Sequence, residues 1–198
     1  MENLARQEEV RENIREEVLN GHVIAMSPRP LVNHNIVAGN IARLFGNYLR
    51  GKPCRAFWEL DVYLTERDRV IPDVMIVCNR DIIKKNGIYG APDLIVEVLS
   101  PSTATKDRGY KKNLYEKCGV KEYWLVDTDS RSIEVQVLKA TGPGPGGRFE
   151  LDKIYSLFPD YMLETMTKEE KADIIHEIKI TLFDDMTIKL EEAFEEIF

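Results

Sequence analysis

Two acidic side chains stand where acidic side chains are costly. Glu97 lies in the middle of Pro92-Asp93-Leu94-Ile95-Val96-Glu97-Val98-Leu99-Ser100, a nearly unbroken apolar run that reads as a strand covered on both faces. A carboxylate buried there loses its hydration, so the fold must give it a cationic partner or a metal ion. Asp73 follows Pro72 in the preceding apolar run, Ile71-Pro72-Asp73-Val74-Met75-Ile76-Val77. Two such carboxylates can share one divalent cation if their strands set them side by side. Asp107, Lys111 and Tyr115 follow at intervals of four, which places them on one face of a helix. A lysine on that face can reach back to the strand, either to hold Glu97 or Asp107 in a buried pair or to stabilise charge in a reaction. Arg108 is a second candidate partner for Glu97. His34 falls in the first turn of an earlier helix and reads either as a packing residue or as a catalytic group. Asp73 after Pro72 has a plain turn reading beside the catalytic one.

The chain supplies a scaffold for these groups. Residues 5–19 are charged with sparse apolar positions, the pattern of a short surface helix. Asn20-Gly21 between Arg-Glu-Glu-Val-Leu and His-Val-Ile-Ala-Met predicts a hairpin between residues 16 and 26, and Ser27-Pro28-Arg29-Pro30 interrupts regular structure. Ile36, Val37, Ile41, Leu44, Phe45 and Tyr48 recur at helical spacing from Asn33 to about Arg50. Ala56 to Leu64 and Val70 to Val77 read as a hairpin, with Pro72 at a bulge or edge that turns Asp73 out of the sheet. Residues 79–91 read as a polar loop. After the Glu97 strand, Ser100-Pro101-Ser102-Thr103 offers helix caps. A helix from about Lys106 to Cys118 then ends at Gly119, and Lys121 to Asp127 is the next strand. Strand, helix and strand make a βαβ unit with parallel pairing. Arg131 to Leu138 alternates as an outer strand, with Glu122 at an edge and Tyr123 and Trp124 in the core. The segment Thr141 to Gly147, rich in glycine and proline, reads as a flexible loop. Beyond it lie one more strand (Leu151 to Leu157), a helical insertion (166–179) and an acidic closing helix (Glu191 to Phe198).

Bulk properties narrow the function classes. The 198 residues and 43% hydrophobic content suit one domain, with a core over about 16–138 and a C-terminal extension over 139–198. No apolar run approaches the roughly 20 residues that cross a bilayer. The first residues lack the basic and apolar regions of a signal peptide, so a cytoplasmic protein is expected. Cys54, Cys78 and Cys118 show no metal-ligand spacing and read as small core hydrophobes. The net charge is −7, but residues 160–198 carry twelve acidic and four basic side chains, a balance of −8. The remaining 159 residues are therefore at +1, which permits a phosphate-bearing substrate without demanding one.

The order of these blocks carries a resemblance. Pro72-Asp73, then Pro92-Asp-Leu-Ile-Val-Glu-Val-Leu-Ser-Pro-Ser-Thr, then Asp107-Arg-Gly-Tyr-Lys with Tyr115, then Gly119-Val-Lys-Glu-Tyr-Trp-Leu-Val-Asp127 resembles the Uma-type branch of the PD-(D/E)XK nuclease superfamily. The likeness runs from about Glu17 to Leu138. It implies a restriction-endonuclease-like α/β core, a mixed central sheet flanked by helices. It also implies a magnesium ion, with manganese as a substitute, held by Asp73 and Glu97. Hard oxygen ligands suit such an ion, which polarises a phosphodiester and helps generate hydroxide. The superfamily lysine stands two residues after the acid, and here that position is Leu99. Lys111 is the expected replacement, Lys112 the second choice. Glu17 and His34 recur in the branch's pattern and are carried over as possible members of the site, beside Asp107 and Tyr115.

Three functions are compatible with this reading. The first is a metal-dependent endonuclease acting on DNA, with a homodimer allowed for and no membrane partner. The second, motivated by Leu99, is a catalytically inactive relative that binds nucleic acid or protein. The third, motivated by the lack of a basic groove in the sequence, is a hydrolase of a small phosphorylated substrate.

Overall fold

The computed structural model describes residues 15–26, 31–142 and 146–198. Most of the expected N-terminal surface helix, the Ser27–Pro30 break and the centre of the glycine-proline loop lie outside those residues.

The Glu97 strand, β9 (Leu94–Val98), is the middle of a six-stranded sheet and is buried at all five positions. On one side it pairs in parallel with β10 (Glu122–Asp127), then β11 (Ser132–Ala140) and β12 (Gly147–Ser156). On the other it pairs antiparallel with β6 (Val74–Val77), which is followed by β3 (Arg55–Trp58) at the edge. Period-2 alternation divides β9 between two layers. Leu94, Val96 and Val98 pack with Val37, Ile41 and Phe45 of helix α1 (Val32–Tyr48). Ile95 packs on the opposite side with Leu114 and Tyr115. Glu97 shares that second parity, and so it faces the helix that carries Lys111.

That helix, α2, begins at Ala104–Lys106, passes through a π-helical turn at Asp107–Lys111 and continues α-helical over Lys112–Cys118. It ends at Gly119, whose φ of 86° is the left-handed cap expected of that residue. The Ser100–Thr103 cluster behaves differently from expectation. No side chain caps the helix, and the first turn hangs instead on the Ser100 carbonyl, which accepts from Thr103 N and Ala104 N.

A second six-stranded sheet runs β2-β1-β5-β4-β8-β7. Its β1 (Glu16–Leu19) and β2 (His22–Ala25) form the expected hairpin, with Asn20 and Gly21 at φ of 51° and 79°. The expected hairpin over 56–77 is more elaborate. Each arm breaks once, at residues 59–61 and 71–73. The tip, β4 (Val62–Thr65) with β5 (Asp68–Val70), therefore joins the second sheet while the base stays in the first. Pro72 explains one break, since it has no N–H for the ladder; its carbonyl accepts from Glu59 N across the bend. The presumed loop over 79–91 contains a short 3₁₀ turn (Arg80–Ile82) and the strands β7 (Ile83–Lys84) and β8 (Gly87–Tyr89).

Other expectations are corrected too. The outermost strand is β12, which starts already at Gly147, so β11 is internal. Glu122 is buried rather than at an edge. It accepts from Trp124 Nε1 at 2.7 Å and from the Thr181 backbone N at 2.8 Å, with the Thr181 hydroxyl also donating. Thr181 lies beyond two short helices, α3 (Asp160–Thr165) and α4 (Lys168–Ala172), where one insertion was expected. Strands β13 (Glu177–Lys179) and β14 (Thr187–Lys189) follow, and the closing helix shrinks to α5 (Leu190–Ala193). Ile178, Ile180, Ile188 and Leu190 from this region bury against the α1 side of the main sheet. Cys54 and Cys78 are not simple core hydrophobes but a disulfide, at the register step beside Arg55 and Val77; Cys118 is free. Cytosolic reductants keep such pairs open, whereas oxidising compartments preserve them. No helix among the described residues is long and apolar enough to cross a membrane.

Helix α1 contains two interior glycines, Gly39 and Gly46, and a Cβ added at either meets nothing within 4 Å. Packing therefore does not require them, although glycine weakens a helix. Gly39→Ala and Gly46→Ala are each expected to add about 0.5–1 kcal/mol, raising Tm by about 1–4 °C. A fall in Tm by calorimetry would contradict this reading of the helix face.

Candidate active site

Lys111 is the hub of a buried cluster. Its Nζ lies 2.8 Å from Glu17 Oε1, 3.0 Å from Glu97 Oε1 and 3.5 Å from Asp107 Oδ1. All four side chains are at least 95% buried. Glu17 comes from β1, and its Oε1 also accepts from Ile71 N at 3.2 Å, tying the cluster to the bend before Asp73. Tyr115, one turn beyond Lys111, donates to Glu97 Oε1 at 2.6 Å. Tyr123 Oη donates to the Asp107 carbonyl at 3.1 Å, within the π-helical turn. Such turns widen a helix locally and are frequent at functional sites; here the turn carries both Asp107 and Lys111.

Asp73 sits immediately before β6. Val74 pairs with Val96, so one further step of the antiparallel register sets Asp73 against Glu97. The Asp73 Oδ2 atom accepts from Val98 N at 2.7 Å and lies 3.3 Å from His34 Nε2. The carboxylate is thereby fixed between the end of β9 and the first turn of α1. Asp73 Oδ1 and Glu97 Oε2 make no hydrogen bond among the described residues.

The charges do not cancel. Glu17, Glu97 and Asp107 surround one ammonium, with Asp73 adjacent; a second, partly exposed lysine, Lys106, stands at the outer side 4.0 Å from Glu17 Oε2. Burial pushes the Glu97 carboxyl well above its ordinary value; Lys111 opposes that shift, and Asp107, Asp73 and Glu17 add to it. Asp107 is raised for the same first reason, again opposed by Lys111. Burial acts to lower the Lys111 pKa, but Glu97, Glu17 and Asp107 outweigh it and leave the amine charged throughout the physiological range. Lys111 is therefore a fixed cation and not a proton acceptor. Burial also works against protonation of His34, yet Asp73, joined by the Val98 backbone and Glu59, outweighs it and raises His34 above its ordinary 6.5.

The structure thus gathers Glu17, Glu97, Asp107, Lys111 and Tyr115 into one cluster and sets His34 and Asp73 beside it. Lys112 is directed elsewhere, its Nζ donating to Gln136 at 3.1 Å, and Arg108 pairs with Glu134 at 2.6 Å rather than with Glu97. Leu99 sits at the end of the strand with its N–H on the Val126 carbonyl. Sequence reasoning overlooked a cavity of about 560 Å³ that opens beside His34 and Asp73 and runs along α1 under Trp58. Its signal was present in the two helix-interior glycines.

A family model described as "Putative restriction endonuclease", Uma2, matches residues 1–147. The chain belongs to the Uma2 family. Every residue of the Uma2 chain's candidate site, from Glu17 to Tyr115, falls inside the matched span. A Synechocystis relative, "Uncharacterized protein slr1290", is 32% identical over 130 residues, covering 64% of this chain and 68% of that protein. The Uma2 chain also shares the fold of an Anabaena variabilis protein solved by crystallography and described as "a putative nuclease belonging to DUF820". The TM-score is 0.60 at 18% identity, over 90% of this chain and 89% of that one.

A restriction-endonuclease-like fold implies a divalent cation, and the donor set can be compared with that requirement. No three His, Cys, Asp or Glu side chains among the described residues converge as a ready metal cage, because Lys111 fills the space between three of them. Magnesium does not need such a cage, since it commonly takes one or two carboxylates and keeps several waters. Two carboxylate oxygens without hydrogen bonds on adjoining strands, the surplus of buried negative charge, and a buried Asp107 Oδ1 that accepts no hydrogen bond fit a cation of this kind.

Proposed function

We propose that this Uma2 protein is a metal-dependent nuclease that hydrolyses DNA phosphodiester bonds. The observation that carries the reading is the delivery of Lys111 from α2 onto Glu97, beside Asp73, in a chain whose usual lysine position is Leu99. Asp73 and Glu97 would hold a magnesium ion, which when bound supplies Lewis acidity at the phosphoryl group and a more acidic water. The protein's own groups do the positioning. Val98 N and His34 fix Asp73, and Tyr115 and Lys111 fix Glu97, so neither carboxylate has to reorganise when charge develops. Lys111 remains a cation throughout and offers its charge to the pentavalent phosphoryl group.

One feature supports a second reading, an inactive nuclease fold that binds nucleic acid or protein. Lys111 is already held by three carboxylates, as a purely structural lysine would be. Supercoiled plasmid and single-stranded DNA incubated with pure protein separate the two. Nicking or degradation in magnesium or manganese, abolished by chelator, is expected; intact DNA in every metal would leave only the binding role.

A further inference from the structure

The cavity beside Asp73 has the form of a track. Its lining from α1 runs His34, Asn35, Ala38, Gly39, Ala42 and on to Asn47, one helix face about 20 Å long, and Arg50 continues it in the turn just past the helix end. Small side chains and the two bare glycines keep the floor low, and the space above Gly39 and Gly46 is open. At the active-site end the wall is Trp58, which pairs with Val74 next to Asp73 and is 62% exposed. An aromatic ring that large is rarely left in solvent beside a cleft without a use. At the far end Arg50 lines the groove, and its guanidinium makes no ion pair or hydrogen bond among the described residues. The acidic neighbour Glu59 is neutralised by Arg15 at 2.9 Å.

Resting on the nuclease reading, we propose that this groove binds an unpaired segment of the substrate strand. Trp58 stacks on the base next to the scissile phosphate, and Arg50 contacts a phosphate further along. We take the occupant to be a single strand and not a duplex because the space is of small-ligand size. The volume of about 560 Å³ lies in the roughly 300–1,000 Å³ range of small-ligand pockets. A single strand combines the features present, since bases stack on aromatic side chains while phosphates follow isolated cations. Asp73 at one end and the arginine at the other also give the strand a preferred placement.

The test uses tryptophan fluorescence of the full chain in chelator, so that no strand is cut. Of the two tryptophans, Trp124 is fully buried in the core, so ligand-dependent quenching reports Trp58. A twelve-nucleotide single strand is expected to quench, and the same sequence as a duplex or with abasic positions is not. Measured by the anisotropy of a 5′-fluorescein-labelled strand, which does not depend on a tryptophan reporter, Trp58→Ala is expected to weaken single-strand binding about tenfold or more. Gly39→Leu, which fills the floor from a helix position, is expected to do likewise without lowering Tm. Equal affinity for intact and abasic strands, tighter binding of duplex, or no oligonucleotide binding at all would overturn the proposal. Metal-dependent plasmid cleavage without quenching would overturn the groove and leave the nuclease reading standing. Quenching without cleavage would do the reverse.

Discussion

Lys111→Met is expected to destabilise the protein by about 3–5 kcal/mol at neutral pH, the usual cost of removing one partner from a buried ion pair. Glu17, Glu97 and Asp107 would then face one another without the ammonium that now lies 2.8–3.5 Å from each. The loss should depend on pH in a definite direction. Glu97 and Asp107 already have raised pKa values, first through burial, and Lys111 is the main group opposing the rise. Without it both rise further. From the ordinary carboxylate range up to those raised values, the native state holds more protons than the unfolded chain, so stability falls as pH increases. Tm of Lys111→Met should therefore drop more steeply between pH 5 and pH 8 than that of wild type. Adding Glu97→Gln to the mutant removes one of the stranded charges and is expected to recover part of the stability but none of the cleavage. A mutant as stable as wild type at pH 8 would mean that the carboxylates find another partner and that the cluster is not organised by Lys111.

Asp73→Asn should act on chemistry and leave the fold largely intact. The amide oxygen can still accept from Val98 N, and the side chain is close to isosteric. What disappears is the charge beside His34 and, on the proposed reading, the second metal ligand beside Glu97. Wild-type protein is expected to gain thermal stability with magnesium or manganese, by about 2.7 kcal/mol at a cation concentration a hundred times Kd. Asp73→Asn is expected to lose most of that gain. Titration calorimetry with manganese checks the same point directly, and equal binding by both proteins would mean that Asp73 is not a ligand.

How much of this was legible in the sequence depended on how local the cause was. The Asn20-Gly21 hairpin, α1, and the β9–α2–β10 unit follow from turn chemistry and periodicity within a few residues, and they stand where expected. The alignment of Asp107, Lys111 and Tyr115 was readable from their spacing, although the π-helical turn that carries the first two was not. What escaped was set by distant partners. Glu122 is buried because Thr181, 59 residues away, donates to it. The arms of the 56–77 hairpin divide between two sheets because the tip finds β1 and β8 as neighbours. Cys54 and Cys78 meet only because the β3–β6 register brings them opposite. Glu17 belonged to the site by resemblance alone, since nothing near it in sequence announces a lysine 94 positions later.

The central claim is that Asp73 and Glu97 form a metal-dependent nuclease site. The most direct measurement is the initial rate of plasmid relaxation at saturating magnesium by Asp73→Asn relative to wild type. The account predicts a rate at least about 100-fold lower with Tm in chelator within a few degrees of wild type. Equal rates from the two proteins would contradict it and place any nuclease activity outside this cluster.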